Sequence, residues 1–126
     1  MDYLEKQNIQ IYKIASCSFN DWDLLERISK TRKPVIASTA GASKLSIDKV
    51  NSFFKHKKIN FNFMHCVGEY PTNDKDLRLD QIDYLIKNYP GVNIGWSTHE
   101  NPYNFGSIMI AVAKGATIFE KHVGLE

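Results

Sequence analysis

The chain has little of several things that mark particular protein classes. It holds 2 cysteines, Cys17 and Cys66, in 126 residues, and their separation fits no zinc-finger spacing. Each follows a strand-like run, so both read as reduced thiols of a cytoplasmic protein. Neither has an activating cationic constellation beside it in the sequence, and neither is nominated as a nucleophile. No stretch approaches the roughly 20 apolar residues of a membrane-spanning helix, and no basic segment followed by an apolar one opens the chain. A formal net charge of +2 is too small to argue for a nucleic-acid partner. The basic run Lys55-His56-Lys57-Lys58 closes a predicted helix, where cations favour the carbonyl end of the dipole. A glycine-rich dinucleotide loop is also missing, since Gly41 stands almost alone after its strand.

What is present is a regular alternation of two periods. Apolar strand-like runs are predicted at Ile9–Ala15, Pro34–Ser38, Asn60–Cys66, Gly91–Trp96 and Ala116–Glu120. Amphipathic helices are predicted between them. The first runs from about Asp21 to Lys30, capped by Asn20 or Asp21, with Trp22, Leu25 and Ile28 on one face. The second, near Ser46–His56, turns Ile47, Val50 and Phe54 inward, and the third, near Leu79–Asn88, carries Ile82, Leu85 and Ile86. The fourth, near Pro102–Lys114, is expected to bury Phe105, Ile108, Met109 and Val112 before Gly115 ends it.

Strict alternation of this kind predicts an α/β fold with a parallel sheet covered by helices. Two architectures satisfy it, an open doubly wound sheet and a (β/α) barrel. Polar or ionisable residues follow every strand: Lys13 and Ser16, then Ser38 and Thr39, His65, Ser97 and His99, and finally Glu120, Lys121 and His122. Chemistry spread over all strand ends favours the barrel, because an open sheet concentrates it at one switch point. Five units do not close eight strands, and Asp2–Lys6 reads as the last turns of a helix. Residues 1–126 are therefore expected to be an incomplete (β/α)8 TIM-barrel domain.

The segments Tyr12-Lys13-Ile14-Ala15-Ser16, Lys33-Pro34-Val35-Ile36-Ala37-Ser38-Thr39 and His65-Cys66 with Glu69-Tyr70-Pro71 continue through Gly95-Trp96-Ser97-Thr98-His99 to Gly115-Ala116-Thr117-Ile118-Phe119-Glu120-Lys121-His122. In this order, each at a strand end, they resemble the N-acetylneuraminate (sialic acid) synthase family. The resemblance implies strands four to eight of the barrel, without its first three strands and without the antifreeze-like domain that usually follows. It implies condensation of phosphoenolpyruvate with an N-acetylated amino sugar to a sialic-acid-like nonulosonate, in the intact enzyme. The fragment alone is expected to be inactive, and the resemblance leaves room for a homodimer of the intact protein.

The same resemblance implies roles for residues. His99 and His122 match ligands of a divalent metal, manganese or magnesium, a task that suits neutral imidazoles. Without the resemblance, two histidines hydrogen-bonded at a rim would serve equally. Lys13, Ser16, Ser38 and Ser97 match a phosphate- and carboxylate-binding set, the cation and short donors that a trianionic ligand needs. Tyr70 either approaches the acceptor sugar or orders the turn before Pro71. Glu120 and Lys121 are the catalytic candidates, Glu120 by bonding substrate or orienting His122. His65 reads as a satisfied core histidine.

Four positions depart from the family pattern: Ser18 for a glutamate, Thr98 for an aspartate, Glu100 for a threonine and Gly68 for an asparagine. These changes remove polar groups on the acceptor side, so the identity of the amino sugar stays open. Two other readings stand beside the preferred one. A lysine ending a barrel strand suits a Schiff-base aldolase, with Lys13 or Lys121 as the amine. Exposed edges at the first and last strands suit a non-catalytic piece that docks onto another part of a barrel.

Overall fold

The computed structural model describes residues 1–123. Five parallel strands lie in sequential order: β1 (Tyr12–Ile14), β2 (Val35–Ser38), β3 (Phe61–Cys66), β4 (Asn93–Thr98) and β5 (Ile118–Lys121). Short α1 (Asp2–Lys6) precedes them, and α2 (Trp22–Lys30), α3 (Lys44–His56), α4 (Asp80–Asn88) and α5 (Gly106–Ala113) fill the crossovers. Local chemistry sets the helix starts. The Asp21 carboxylate accepts from the Leu24 N–H at 3.0 Å, and the Ser43 hydroxyl oxygen accepts from the Ser46 N–H at 3.2 Å. Ser43 thereby begins α3 two residues before the predicted start.

One face of the sheet is apolar and carries the core. Val35, Ala37, Phe61, Phe63, Ile94 and Trp96 pack there against Leu25, Ile28, Val50, Phe54, Ile82 and Leu85. Successive strand residues alternate faces, so the other face receives Lys13, Ser38, Cys66, Ser97 and Glu120. Helices on one face only, over strands in chain order, are the winding of a (β/α)8 barrel rather than of a doubly wound sheet. The molecule is a half-barrel, as expected. Among the described residues no helix is long and apolar enough to cross a membrane.

Not every apolar residue of the predicted helices is buried. Trp22 is 42% exposed and rests edge-on against Phe53 at 5.8 Å, and Ile86 is 39% exposed. The expected burial fails in the last helix. In α5, Phe105, Met109 and Val112 are exposed, while Ser107 and Ala111 are buried. That helix is apolar all round, so periodicity could not choose its face. Small residues four apart were selected because they let α5 approach Trp96, whose indole N–H donates to the Ser107 hydroxyl at 3.3 Å. The predicted start of α5 at Pro102 also fails. Asn101 and Asn104 side chains accept from the N–H groups of Tyr103 and Gly106 and hold that stretch as turns.

Gly95 is the tightest point of the sheet. A Cβ there would stand 2.5 Å from the Ile118 carbonyl oxygen of the neighbouring strand, so glycine is required for β5 to approach β4. The register that results pairs Ser97 with Glu120.

Candidate active site

The C-terminal ends of the strands surround a cavity of about 350 Å³. Alternation places the proposed residues at its wall with no further assumption. Lys13 comes from β1, Ser16 from the turn after it, Ser38 from β2, Ser97 from β4 and Glu120 from β5, with His99 and His122 just beyond β4 and β5.

Three of these side chains are bound to one another. The Ser97 hydroxyl donates to Glu120 Oε2 at 2.7 Å, and Lys13 Nζ lies 3.0 Å from the same oxygen. Burial pushes the Glu120 carboxyl up, but the Ser97 hydroxyl and the Lys13 ammonium outweigh it and hold the pKa below the ordinary carboxylate value. Glu120 is therefore an ionised acceptor at neutral pH and suits a base or an orienting group. Ser38 is buried, and its hydroxyl has no hydrogen-bond partner among the described residues. A buried hydroxyl at a cavity wall is a donor ready for a ligand oxygen.

The two imidazoles lie side by side with ring centres 5.3 Å apart and planes inclined by 55°. A metal held at about 2 Å by one nitrogen of each ring would leave the ring centres roughly 5 Å apart, so their spacing is compatible with a shared cation. His99 Nδ1 lies 2.9 Å from the Val67 carbonyl oxygen. A carbonyl only accepts, so Nδ1 carries the proton and in the neutral tautomer Nε2 keeps its lone pair for a ligand. Among the described residues no group of three or more His, Cys, Asp or Glu is arranged to hold a metal. Any ion held here would have at most these two imidazoles from the described residues, with water or substrate oxygen completing its shell. Tyr70, 68% exposed, sets its ring 4.9 Å from His122 and 5.6 Å from His99. It walls the imidazole pair on the solvent side.

Lys121 also lines the cavity, but its ammonium is engaged by other groups. Its Nζ lies 3.1 Å from Glu100 Oε1, 2.9 Å from the Asn104 carbonyl and 3.4 Å from that of Asn101. The ammonium is thus held by Glu100 and the turn before α5. His65 is a core residue, stacked on Trp96 at 4.9 Å with Nε2 2.9 Å from the Leu77 carbonyl. Burial pushes its pKa down, so it stays neutral there. Cys66 contributes to the cavity, its sulfur 3.9 Å from His99 Nε2, and burial pushes the thiol up.

Sequence reasoning noted Glu100 only as a departure from a pattern. It is 3% exposed and holds the Lys121 ammonium. Its signal was an acid one residue after a strand-end histidine, on the face that alternation assigns to the core.

Comparisons with known proteins give the family and the fold. A Homo sapiens N-acetylneuraminate-9-phosphate synthase is 29% identical over 126 residues, covering 100% of this chain and 34% of its own length. A Campylobacter jejuni pseudaminic acid synthase is 34% identical over 127 residues, covering 100% of this chain and 36% of its own length. A solved Chromobacterium violaceum structure, assigned as a spore coat polysaccharide biosynthesis protein E, superposes with a TM-score of 0.96 at 58% identity. That match covers 99% of this chain and 37% of the solved one. The chain spans about a third of the length of the curated relatives it matches. With the NeuB family model matching residues 1–126, the half-barrel and its cluster of strand-end residues belong to a member of the NeuB family.

Proposed function

We propose that residues 1–126 form one part of a (β/α)8 domain that, in the full-length protein, condenses phosphoenolpyruvate with an N-acetylated amino sugar to a nonulosonate in the cytoplasm. The observation that carries this reading is convergence. Lysine side chains, several hydroxyls, an ionised carboxylate and a neighbouring imidazole pair share a single mouth.

Lys13 balances donor charge, while the hydroxyls of Ser16, Ser38 and Ser97 supply short directional bonds to its phosphate and carboxylate oxygens. Such fixed donors orient carbon three of the donor toward the sugar aldehyde and cost no reorganisation during reaction. A bound Mn2+ or Mg2+ would polarise the aldehyde oxygen and orient it. His99 and His122 would hold that ion, and the Val67 carbonyl fixes the His99 tautomer. Carbon three attacks the aldehyde, water adds at carbon two, and phosphate leaves. Glu120, ionised and already bonded to Ser97 and Lys13, is placed to accept a proton or a hydroxyl hydrogen bond during those steps. Lys121, with three acceptors around its ammonium, supports positioning rather than a Schiff base.

The test uses the full-length protein with Mn2+, phosphoenolpyruvate and a panel of N-acetylated amino sugars, following phosphate release. Sugar-dependent release that is lost in His99→Ala and His122→Ala supports the reading. Release that persists when both imidazoles are removed refutes the metal role, and its absence with every sugar refutes the synthase reading.

A further inference from the structure

We propose that Glu100 and Lys121 form a buried clip that sets the spacing of the two imidazoles, which makes them positioning residues for the metal pair. The inference rests on the metal reading above. Glu100 directly follows His99, and Lys121 directly precedes His122. The two histidine rings lie together at the cavity, while the charged side chains beside them in sequence pair with each other and with the turn before α5. Lys121 Nζ and Glu100 Oε1 are 3.1 Å apart, with side chains only 16% and 1% exposed.

The pair is tied further into the fold. The Ser107 hydroxyl donates to Glu100 Oε1 and accepts from the Trp96 indole N–H, while the Asn104 carbonyl accepts from Lys121. One network therefore joins β4, the turns after it, α5 and β5. Each end of the ion pair lies one residue from a metal-facing ring, about 3.8 Å along the chain. A shift of either charged side chain is passed directly to an imidazole. Burying such a pair is a poor route to stability alone, since well-packed apolar residues often do as well. Its place between the two histidines gives it a second purpose.

The experiment titrates the full-length protein with Mn2+, reading free ion by electron paramagnetic resonance and stability by thermal melting. Four proteins are compared: unaltered, His99→Ala, Lys121→Met, and the double variant Glu100→Gln/Lys121→Met. Lys121→Met is expected to melt lower, because it strands a buried carboxylate, and to weaken Mn2+ binding about 10- to 100-fold. The double variant removes both charges, so its melting should recover while its Mn2+ affinity stays weakened. That split supports the clip, and a purely structural pair would not produce it. Unaltered Mn2+ affinity in the double variant overturns the clip and leaves the metal reading intact. Failure of the unaltered protein to bind Mn2+, or full binding by His99→Ala, overturns the metal reading itself. Should Lys121→Met not fold, the double variant still decides.

Discussion

Replacing Gly95 by alanine sets a new carbon 2.5 Å from the Ile118 carbonyl oxygen, 3.0 Å from Ile118 Cβ and 3.2 Å from its carbonyl carbon. Ordinary contact begins near 3.4 Å, so β5 must retreat from β4 by roughly 0.9 Å at this point, the kind of backbone shift that overpacking forces. The nearest obstacle is backbone, and no change of side-chain rotamer relieves it. Overpacking of this kind costs about 1–3 kcal/mol, and stretched ladder hydrogen bonds add up to about 1 kcal/mol each. At roughly 2–4 °C per kcal/mol, Gly95→Ala should lower the melting temperature by several degrees. The functional loss should exceed the stability loss. Glu120 and His122 ride on the displaced strand, whereas Ser97 and His99 stay with β4, so the bond between Ser97 and Glu120 and the imidazole spacing both open. Mn2+ affinity measured at a temperature where the variant is fully folded should drop about tenfold or more. A second substitution, Ile118→Ala, should not rescue either property, because the clashing carbonyl remains. A Gly95→Ala protein with unaltered melting and unaltered Mn2+ binding would refute both the register of β4 against β5 and its link to the site.

On the proposed role of Lys13 as the cation set against phosphoenolpyruvate, Lys13→Met should raise the KM for that substrate about 10- to 100-fold; an unchanged KM in steady-state kinetics contradicts the proposal. The Glu120 pKa is lower in the fold than in the open chain, so the stability it supplies is complete above the ordinary value of 4.5 and is lost as pH falls through its folded pKa. Glu120→Gln should flatten that acid limb in melts across pH, and a limb of unchanged steepness argues against the Lys13–Glu120–Ser97 cluster. Ala111→Leu should destabilise by about 1–3 kcal/mol in urea unfolding, because Ala111 is fully buried beneath α5. Met109→Ser on the exposed side of the same helix should lie within about 0.5 kcal/mol of the parent; equal effects at the two positions would mean that α5 faces the other way.

The alternation of periods made most of this architecture legible. Ile47, Val50 and Phe54 fell on one face of α3 because 3.6-residue spacing allows no other arrangement. Lys13, Ser97 and Glu120 could be assigned to a common rim because period-two alternation at parallel strand ends leaves little freedom. Where the pattern was degenerate, the reading failed. Helix α5 is apolar on every side, and its buried face was chosen by the bulk of Trp96 and the smallness of Ser107 and Ala111. The turns before α5 depended on asparagine side chains closing on nearby N–H groups, which hydrophobic periodicity does not register.

The chain's own order of residues determined the winding, the parallel sheet and the set of groups delivered to its C-terminal rim, because these follow from local period and strand polarity. Tertiary structure alone decided which of those groups touch. Glu100 and Lys121 lie 21 residues apart, and Gly95 matters only against a carbonyl on another strand. Such partnerships depend on register and close approach between segments, which neighbouring residues in the sequence do not encode.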